Sequence, residues 1–327
     1  MSDGSQFYCS DSFVRKFLWK KLGWSERHAM WPAQELPNNH EKVLWAAFLQ
    51  EAAIICNHSI PAELQVNTDQ TQLVYQQGTQ TTWNKAGEKQ VETKGQDEKR
   101  AFTLVPSISA SGDLLPFQAV YHGKTALSCP SPKAPGIAEA QKLQFKFEAS
   151  KTKTYWSTQE TMRKLVDEII APYFNKKKRE LGLPNSQDAL WKIDCWSVHK
   201  SAEFRTWMKK AHKNIIVLFV PGGCTGIWQP LDVGIQYTLK HSLQHSAHRD
   251  LIAEVMAHLD GPESDGWITI NTTVANLHDR SVGWMVWAYQ ELDDKVLIKK
   301  VSSWDSVSKR DMLTNQIGLS NVLDWWF

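Results

Sequence analysis

Three aspartates stand where their carboxylates could act together: Asp69 in the first predicted strand, Asp194 at the end of the fourth, and Asp232 at the start of a long helix. Carboxylates that converge resist joint ionisation, and a bound divalent cation relieves their repulsion. Oxygen-only ligands with open positions suit Mg²⁺ or Mn²⁺, and two such ions support an in-line phosphoryl displacement. An aspartate alone in such a place is usually a turn or cap residue, so the hypothesis needs all three.

The first half of the chain supplies the elements that would carry Asp69. Apolar spacing predicts helix within residues 11–56, broken at Gly23, with a second helical stretch over about 39–55. Three strands are expected, at 62–75, 102–108 and 114–121. We expect a polar excursion from the sheet at 76–100, and mostly loop at 122–154.

The second half alternates helices and strands. A helix is expected after Trp156, with Ser157 and Glu160 as its capping box and a kink at Pro172. The other predicted elements are a strand at 189–194, a helix at 201–213, a strand at 215–220 buried on both faces, and helices at 231–259 and 273–292.

This order predicts an α/β fold, a ribonuclease H-like mixed sheet flanked by helices, with a helical N-terminal prefix. In such a sheet strands one and four are neighbours. Asp69 and Asp194 should therefore converge, and a helix that starts over the same edge can add Asp232.

Three segments, NTDQT, WKIDCWSVHKS and VPGGCTGIWQPLDVGIQYTLK, resemble the acidic motifs of DDE superfamily endonucleases. The resemblance is to the pogo/Tigger branch of the Tc/mariner-group transposases, in its fungal lineage, and covers residues 11–290. It implies that Asp69, Asp194 and Asp232 are the metal ligands and that His199 belongs to the catalytic site. Cys195 departs from the pattern where many relatives have Asn, and Trp228 stands where a smaller apolar residue is common.

The resemblance also implies three domains. Residues 1–60 would be the remnant of a centromere-protein-type helix-turn-helix, residues 61–260 the catalytic domain, and residues 261–327 a helical extension. A whole helix-turn-helix is normally needed to seat a helix in the major groove. Packing of the prefix helix on the catalytic core is therefore an equal alternative.

Composition excludes some classes of protein. With 42% hydrophobic and 22% charged residues, the chain is neither disordered nor fibrous, and no apolar run is long enough for a membrane span. Five cysteines without a CxxC pair favour reduced thiols. A net charge of +2 predicts no partner by itself.

Two smaller motifs keep alternatives open. Lys176–Arg179 suits a nuclear import signal, a phosphate contact or, more plainly, a basic helix end. Cys195, His199 and Cys224 could suggest zinc, but their spacing is not that of common zinc ligands.

By the resemblance we expect a metal-dependent DNA endonuclease and strand-transferase that uses two Mg²⁺ or Mn²⁺ ions. We expect DNA as its partner, no membrane association and a nuclear location, and leave homodimer formation open. One alternative is a catalytically silent, co-opted transposase domain that binds DNA or chromatin. A plain nuclease for RNA–DNA hybrids is a third hypothesis, which the QPLD motif disfavours.

Overall fold

The computed structural model describes residues 11–22, 39–75, 100–259 and 270–302. The chain forms two compact units, Met1–Leu36 and Pro37–Phe327. In the first unit one helix is described, α1 (Asp11–Leu22), whose Phe13 and Phe17 are about half exposed and stack with ring centroids 6.3 Å apart. All the other described helices and strands belong to the second unit.

The second unit contains eight described strands. They are β1 (Gln65–Thr68), β2 (Thr71–Val74), β3 (Ala101–Val105), β4 (Ser107–Ser109), β5 (Gln118–Tyr121), β6 (Lys146–Ala149), β7 (Ala189–Ile193) and β8 (Ile215–Phe219).

Helices surround these strands. They are α2 (His40–Asn57), α3 (Ile137–Lys142), α4 (Gln159–Leu165), α5 (Ala171–Glu180), α6 (Ser197–Lys200), α7 (Ala202–Ala211), α8 (Thr225–Trp228), α9 (Gln236–Leu259) and α10 (Val274–Leu292). Short 3₁₀ turns lie at Ala62–Leu64 and Ala126–Ser128, π turns at Val166–Ile170 and Leu231–Ile235, and residues 295–302 are helical. No described helix is long and apolar enough to cross a membrane.

The strands form two four-stranded sheets, in the orders β4-β1-β7-β8 and β2-β3-β5-β6. Within the first, β1 runs antiparallel to β4 and parallel to β7, which is parallel to β8. In the second, β2, β3 and β5 form an antiparallel meander and β6 adds a parallel edge strand. In the ribonuclease H-like arrangement an antiparallel meander is followed by a strand that runs parallel to the first strand of the meander. Here β1 and β2 are two parts of that first strand, and β7 pairs in parallel with β1, so the predicted fold class is confirmed.

The two sheets continue one another because the strands of the first hairpin are interrupted at the same level. Only Asp69 and Gln70 separate β1 from β2, and only Pro106 separates β3 from β4. Proline has no backbone N–H and cannot donate to the ladder. Its carbonyl still accepts from the Asp69 N–H at 3.2 Å. Asp69 therefore leaves the regular ladder where the two sheets meet.

Two apolar cores cover the sheet. One joins β1, β7 and β8 to α4, α5 and α7, with Trp191, Phe174 and Phe204 fully buried. The other joins β2, β3 and β5 to α9 and α10. A smaller cluster, with Leu44 and Trp228 at its centre, packs α2 against α8. These layers fix the strand ends that carry the acidic residues.

Several local predictions were wrong. The helix N-cap is Thr158, paired reciprocally with Thr161, whereas the predicted capping box was Ser157 with Glu160. The helix departs from regular geometry in the π turn at Val166–Ile170, just before Pro172, which is the second residue of α5. The predicted kink at Pro172 stays a prediction. Strand β8 is only half-buried along most of its length.

Other expectations met different outcomes. The stretch 122–154 is mostly loop, but it also contains α3 and the edge strand β6, which apolar spacing did not predict. The expected polar excursion falls almost wholly outside the described residues. The domain boundaries at 60 and 260 remain predictions.

Gly234 lies in the π turn beside Asp232, where a β-carbon would stand 2.5 Å and 2.9 Å from the two methyl groups of Val301. We predict that Gly234→Ala destabilises the protein by roughly 1–3 kcal/mol through overpacking. Urea unfolding measures this loss. In a Val301→Ala background the same substitution should cost much less, and an undiminished cost would show that residues 295–302 do not pack here.

Candidate active site

Asp69 and Asp232 form a carboxylate pair at the break between the two sheets. Asp69 lies between β1 and β2, and Asp232 lies in the π turn that leads into α9. Their side chains share a hydrogen bond, and Asp69 is only 8% exposed. Two carboxylates within hydrogen-bond reach must share a proton or a cation, because both cannot be ionised cheaply at that distance.

Neutral donors surround the pair. The Gln236 amide on the first turn of α9 donates to Asp69 Oδ2, and the backbone N–H of Gln70 also donates to that carboxylate. The Thr225 hydroxyl hydrogen-bonds Asp232. Amides and hydroxyls orient carboxylates without cancelling their charge.

Burial raises the pKa of Asp69 well above its ordinary value of 3.8, and the charge and hydrogen bond of Asp232 raise it further. Burial also raises the pKa of Asp232, although its hydrogen bond to Asp69 and the nearby charge of Lys240 oppose the rise. Asp194 raises the pKa of both groups through its charge. Both carboxyls therefore retain a proton more readily than an isolated aspartate does.

Asp194 follows the last residue of β7, beside the pair. Its carboxylate Oδ1 lies 2.9 Å from Nδ1 of His199, and its backbone carbonyl lies 3.2 Å from the same nitrogen. The other ring nitrogen of His199 is buried and has no hydrogen-bond partner among the described residues, and the ring lies against Trp191, Trp196 and Phe204. The contact that His199 makes is thus with Asp194, and its ring is fixed by aromatic packing.

A second layer of hydrogen bonds lies just ahead of the three acids in the chain. Asn67, two residues before Asp69, donates from Nδ2 to the Lys192 carbonyl at 3.2 Å and accepts from the Leu231 N–H at 3.2 Å. Gln229 donates to the Thr68 carbonyl at 3.3 Å. These bonds join β1, β7 and the Asp232 turn. Sequence reasoning missed Asn67 and Gln236; the one usable signal was that Gln236 lies four residues after Asp232.

Within the described residues, no three histidine, cysteine or acidic side chains are close enough to hold a metal ion as they stand. Cys195, His199 and Cys224, the suggested zinc ligands, therefore do not form such a group. The donor set still fits Mg²⁺ or Mn²⁺, because a cation at the Asp69–Asp232 pair would replace the shared proton and meet oxygen ligands. Asp194 lies close enough to act on both carboxylates through its charge.

The basic cluster Lys176–Arg179 behaves as a helix end. Lys178 is buried and donates to the Asn185 carbonyl at 3.2 Å. Lys177 lies 3.0 Å from carboxylate oxygens of both Asp113 and Glu180. Because Lys178 is buried and Lys177 is paired, the cluster does not present four free positive charges.

With this geometry in place, comparison with known proteins decides the family. The model of the DDE superfamily endonuclease family matches residues 98–300. The chain belongs to this family. The matched region contains Asp194 and Asp232 but begins after Asp69, whose place at the site therefore rests on its contact with Asp232. No curated protein matched the chain.

Solved structures similar to this DDE family member include complexes of the Mos1 transposase. The pre-cleavage Mos1 transpososome is 10% identical, with 84% of this chain and 67% of that chain covered and a TM-score of 0.46. The Mos1 mariner paired end complex with Mn is 10% identical, with 86% of this chain and 69% of that chain covered and a TM-score of 0.46. The Mos1 catalytic domain is 10% identical, covers 83% and 98%, and scores 0.38. With scores below 0.5, the fold assignment stands on strand order and register.

The raised pKa values predict how stability depends on pH. A carboxyl whose pKa is higher in the folded than in the unfolded protein does not lower the folding stability at pH values below the unfolded pKa. The protein loses stability as pH rises through the folded pKa, because the carboxyl must then ionise in the folded site. Asp69→Asn should therefore raise the melting temperature of the metal-free protein at pH 7, and this gain should vanish near pH 4.

Thermal unfolding between pH 4 and 8 measures the effect. Asp167→Asn, at a half-exposed carboxylate that pairs with His212, is the matched control and should show no comparable gain. If Asp69→Asn is instead less stable than the parent at pH 7, the two carboxylates do not repel one another.

Proposed function

We propose that this protein cleaves DNA as a transposase of the pogo/Tigger branch, in its fungal lineage, with two divalent cations at the aspartate cluster. The observation that carries the proposal is the pair of buried Asp69 and partly buried Asp232 beside Asp194, in a chain of the DDE endonuclease family. Such a site is short of positive charge and rich in oxygen donors. When bound, Mg²⁺ or Mn²⁺ would polarise the scissile phosphate and activate the attacking water or 3′-hydroxyl.

The proposed roles follow from the contacts of each side chain. Asp69, Asp194 and Asp232 would together hold the two cations, each through its carboxylate oxygens. Gln236 and Thr225 would hold their carboxylates in one orientation. His199 would orient the Asp194 carboxylate through Nδ1, with its ring fixed among the aromatic side chains.

Further parts of the proposal rest on the resemblance alone. DNA is the proposed substrate and the nucleus the proposed location, and the freed 3′-hydroxyl would attack target DNA in a strand-transfer step. A homodimer would bring two such sites to the paired ends of a transposon.

The proposal predicts Mn²⁺-dependent nicking of supercoiled DNA, weaker with Mg²⁺ and absent with Ca²⁺. Loss of a group next to a metal ligand already costs about 10–100-fold, so loss of a ligand should cost at least as much. Asp69→Asn, Asp194→Asn and Asp232→Asn should therefore each reduce nicking at least about a hundredfold. Asp167→Asn is the matched control and should nick like the parent. Nicking that survives all three substitutions would rule out this active site.

A second candidate function is a catalytically silent domain that binds DNA or chromatin. The observation that favours it is that no three potential ligands in the described part of the chain are already arranged around a metal position. A site with only two carboxylates in contact would need Asp194 to move toward them before it held a cation tightly.

Metal-induced stabilisation separates the two functions without any substrate. A ligand that binds only the folded state stabilises it by roughly 2.7 kcal/mol at a hundredfold excess over Kd. Mn²⁺ should therefore raise the melting temperature of the parent by several degrees, and Asp194→Asn should abolish most of the increase. An unchanged melting temperature in the parent at millimolar Mn²⁺ would favour the silent domain.

A further inference from the structure

Lys192 carries a buried charge directly beneath the proposed site. It lies on β7, two residues before Asp194, in a strand that is otherwise apolar and wholly buried. Its ammonium Nζ lies 2.9 Å from Oε1 of Glu51 on α2, and the two side chains are only 7% and 11% exposed. The metal-binding scheme proposed above uses neither group.

Three elements meet around this ion pair. The Lys192 ammonium lies 5.4 Å from the ring centroid of Trp228, within the range of a cation–π contact. Trp228 ends α8, four residues before Asp232, and its ring meets Phe48 of α2 edge-on at 6.4 Å. The side chain of Lys192 thus joins α2, β7 and the segment that leads to Asp232.

The backbone of Lys192 belongs to the same set of contacts. Its carbonyl accepts from Asn67, which also accepts from the Leu231 N–H. Asn67 stands two residues before Asp69, and Leu231 stands immediately before Asp232. A displacement of Lys192 would therefore reach the chain segments of all three acids.

The described residues leave a cleft in this region. A cavity of about 200 Å³ lies between α2 and the sheet, and its lining includes Phe48, Ile55, Gln65, Asn67, Lys192 and Pro230. Side chains fix a helix where they interdigitate with its neighbour, and a void removes part of that constraint. The ion pair therefore adds a directional contact beside this cleft.

Stability alone does not explain a buried ion pair. Desolvation of two charges offsets much of their attraction, and apolar residues of similar volume often serve stability equally well. Breaking such a pair by removing one partner is costly, because it leaves an uncompensated buried charge. What the pair does supply is one defined arrangement of the elements that it joins.

We infer that the Glu51–Lys192 pair, closed by the Trp228 ring, is a positioning device that fixes the chain segments of Asp194 and the Asp232 turn relative to one another, so that only the Asp194 side chain has to turn for metal binding. The inference rests on the proposed function for its metal, but the device is a property of the folded chain. It assigns to α2, which precedes the catalytic sheet in the chain, a direct influence on the acidic site. Glu51 and Lys192 would act through other residues, without touching the metal or the substrate.

The test uses the full chain with both charges removed, as Glu51→Leu combined with Lys192→Met. The double variant should melt close to the parent, because no unpaired charge stays buried. The Mn²⁺ midpoint is the Mn²⁺ concentration that gives half of the maximal rise in melting temperature. In the double variant this midpoint should be higher than in the parent by roughly tenfold or more. The single variant Lys192→Arg keeps both the ion pair and the cation over the Trp228 ring, so it should retain most of the parent's Mn²⁺ affinity.

Hydrogen exchange of the metal-free protein gives a second readout that does not depend on the metal. Amides at 194–198 and 224–235 should exchange faster in the double variant than in the parent, with the core strands unchanged. The matched control is Lys178→Met. Lys178 is buried to a similar degree as Lys192, but it donates to the backbone carbonyl of Asn185, which lies in the chain before β7. The control substitution should leave both the Mn²⁺ midpoint and the exchange at those two segments unchanged.

The outcomes separate this inference from the proposed function. If the parent binds Mn²⁺ and the double variant matches it in midpoint and exchange, the positioning role is wrong while the proposed function stands. If the parent ignores Mn²⁺, the metal site is wrong and hydrogen exchange alone decides the positioning role. Should the double variant fail to fold, Glu51→Gln carries the same two comparisons, with the same results expected and the same results contradicting the inference.

Discussion

The carboxylates of Asp69, which is buried, and Asp232, which is partly buried, are held against one another, and the surrounding structure serves that contact. Gln236 and Thr225 donate neutral hydrogen bonds, which orient the two groups and leave their charge uncompensated. Lys240 eases the charge on Asp232, while Asp194 adds a third negative charge nearby. The folded chain therefore stores electrostatic repulsion that a divalent cation can release.

That repulsion has to be borne by packing elsewhere. The sheet is covered on both faces by apolar helices, and Trp191, directly before Lys192, is fully buried while donating to the Thr68 hydroxyl at 2.8 Å. Thr68 in turn lies 2.7 Å from the hydroxyl of Ser107 on β4. Satisfied polar groups inside an apolar layer specify one arrangement of the strands, because any shift would leave them without partners. The fixed arrangement of β1 and β7 therefore also fixes the distance between the backbone positions of Asp69 and Asp194.

The sequence was informative where periodicity is strong and local. The parallel pair β7 and β8, their connecting helix and the meander follow from apolar spacing, and with them the neighbouring positions of Asp69 and Asp194. Contacts between distant parts of the chain leave no such pattern: nothing near Lys192 indicates that its partner is Glu51 on a much earlier helix. The N-cap at Thr158 was missed by one residue, because Ser157 and Thr158 are adjacent and both residue types are favoured N-caps.

Diffraction from crystals grown or soaked with Mn²⁺ tests the account most directly, because the anomalous signal of the metal locates it without reference to the protein phases. The account predicts a Mn²⁺ ion bound between the carboxylates of Asp69 and Asp232, with Asp194 turned toward it and His199 still bonded to Asp194. An anomalous map with no peak at this pair, in crystals that hold Mn²⁺ at saturating concentration, would contradict it.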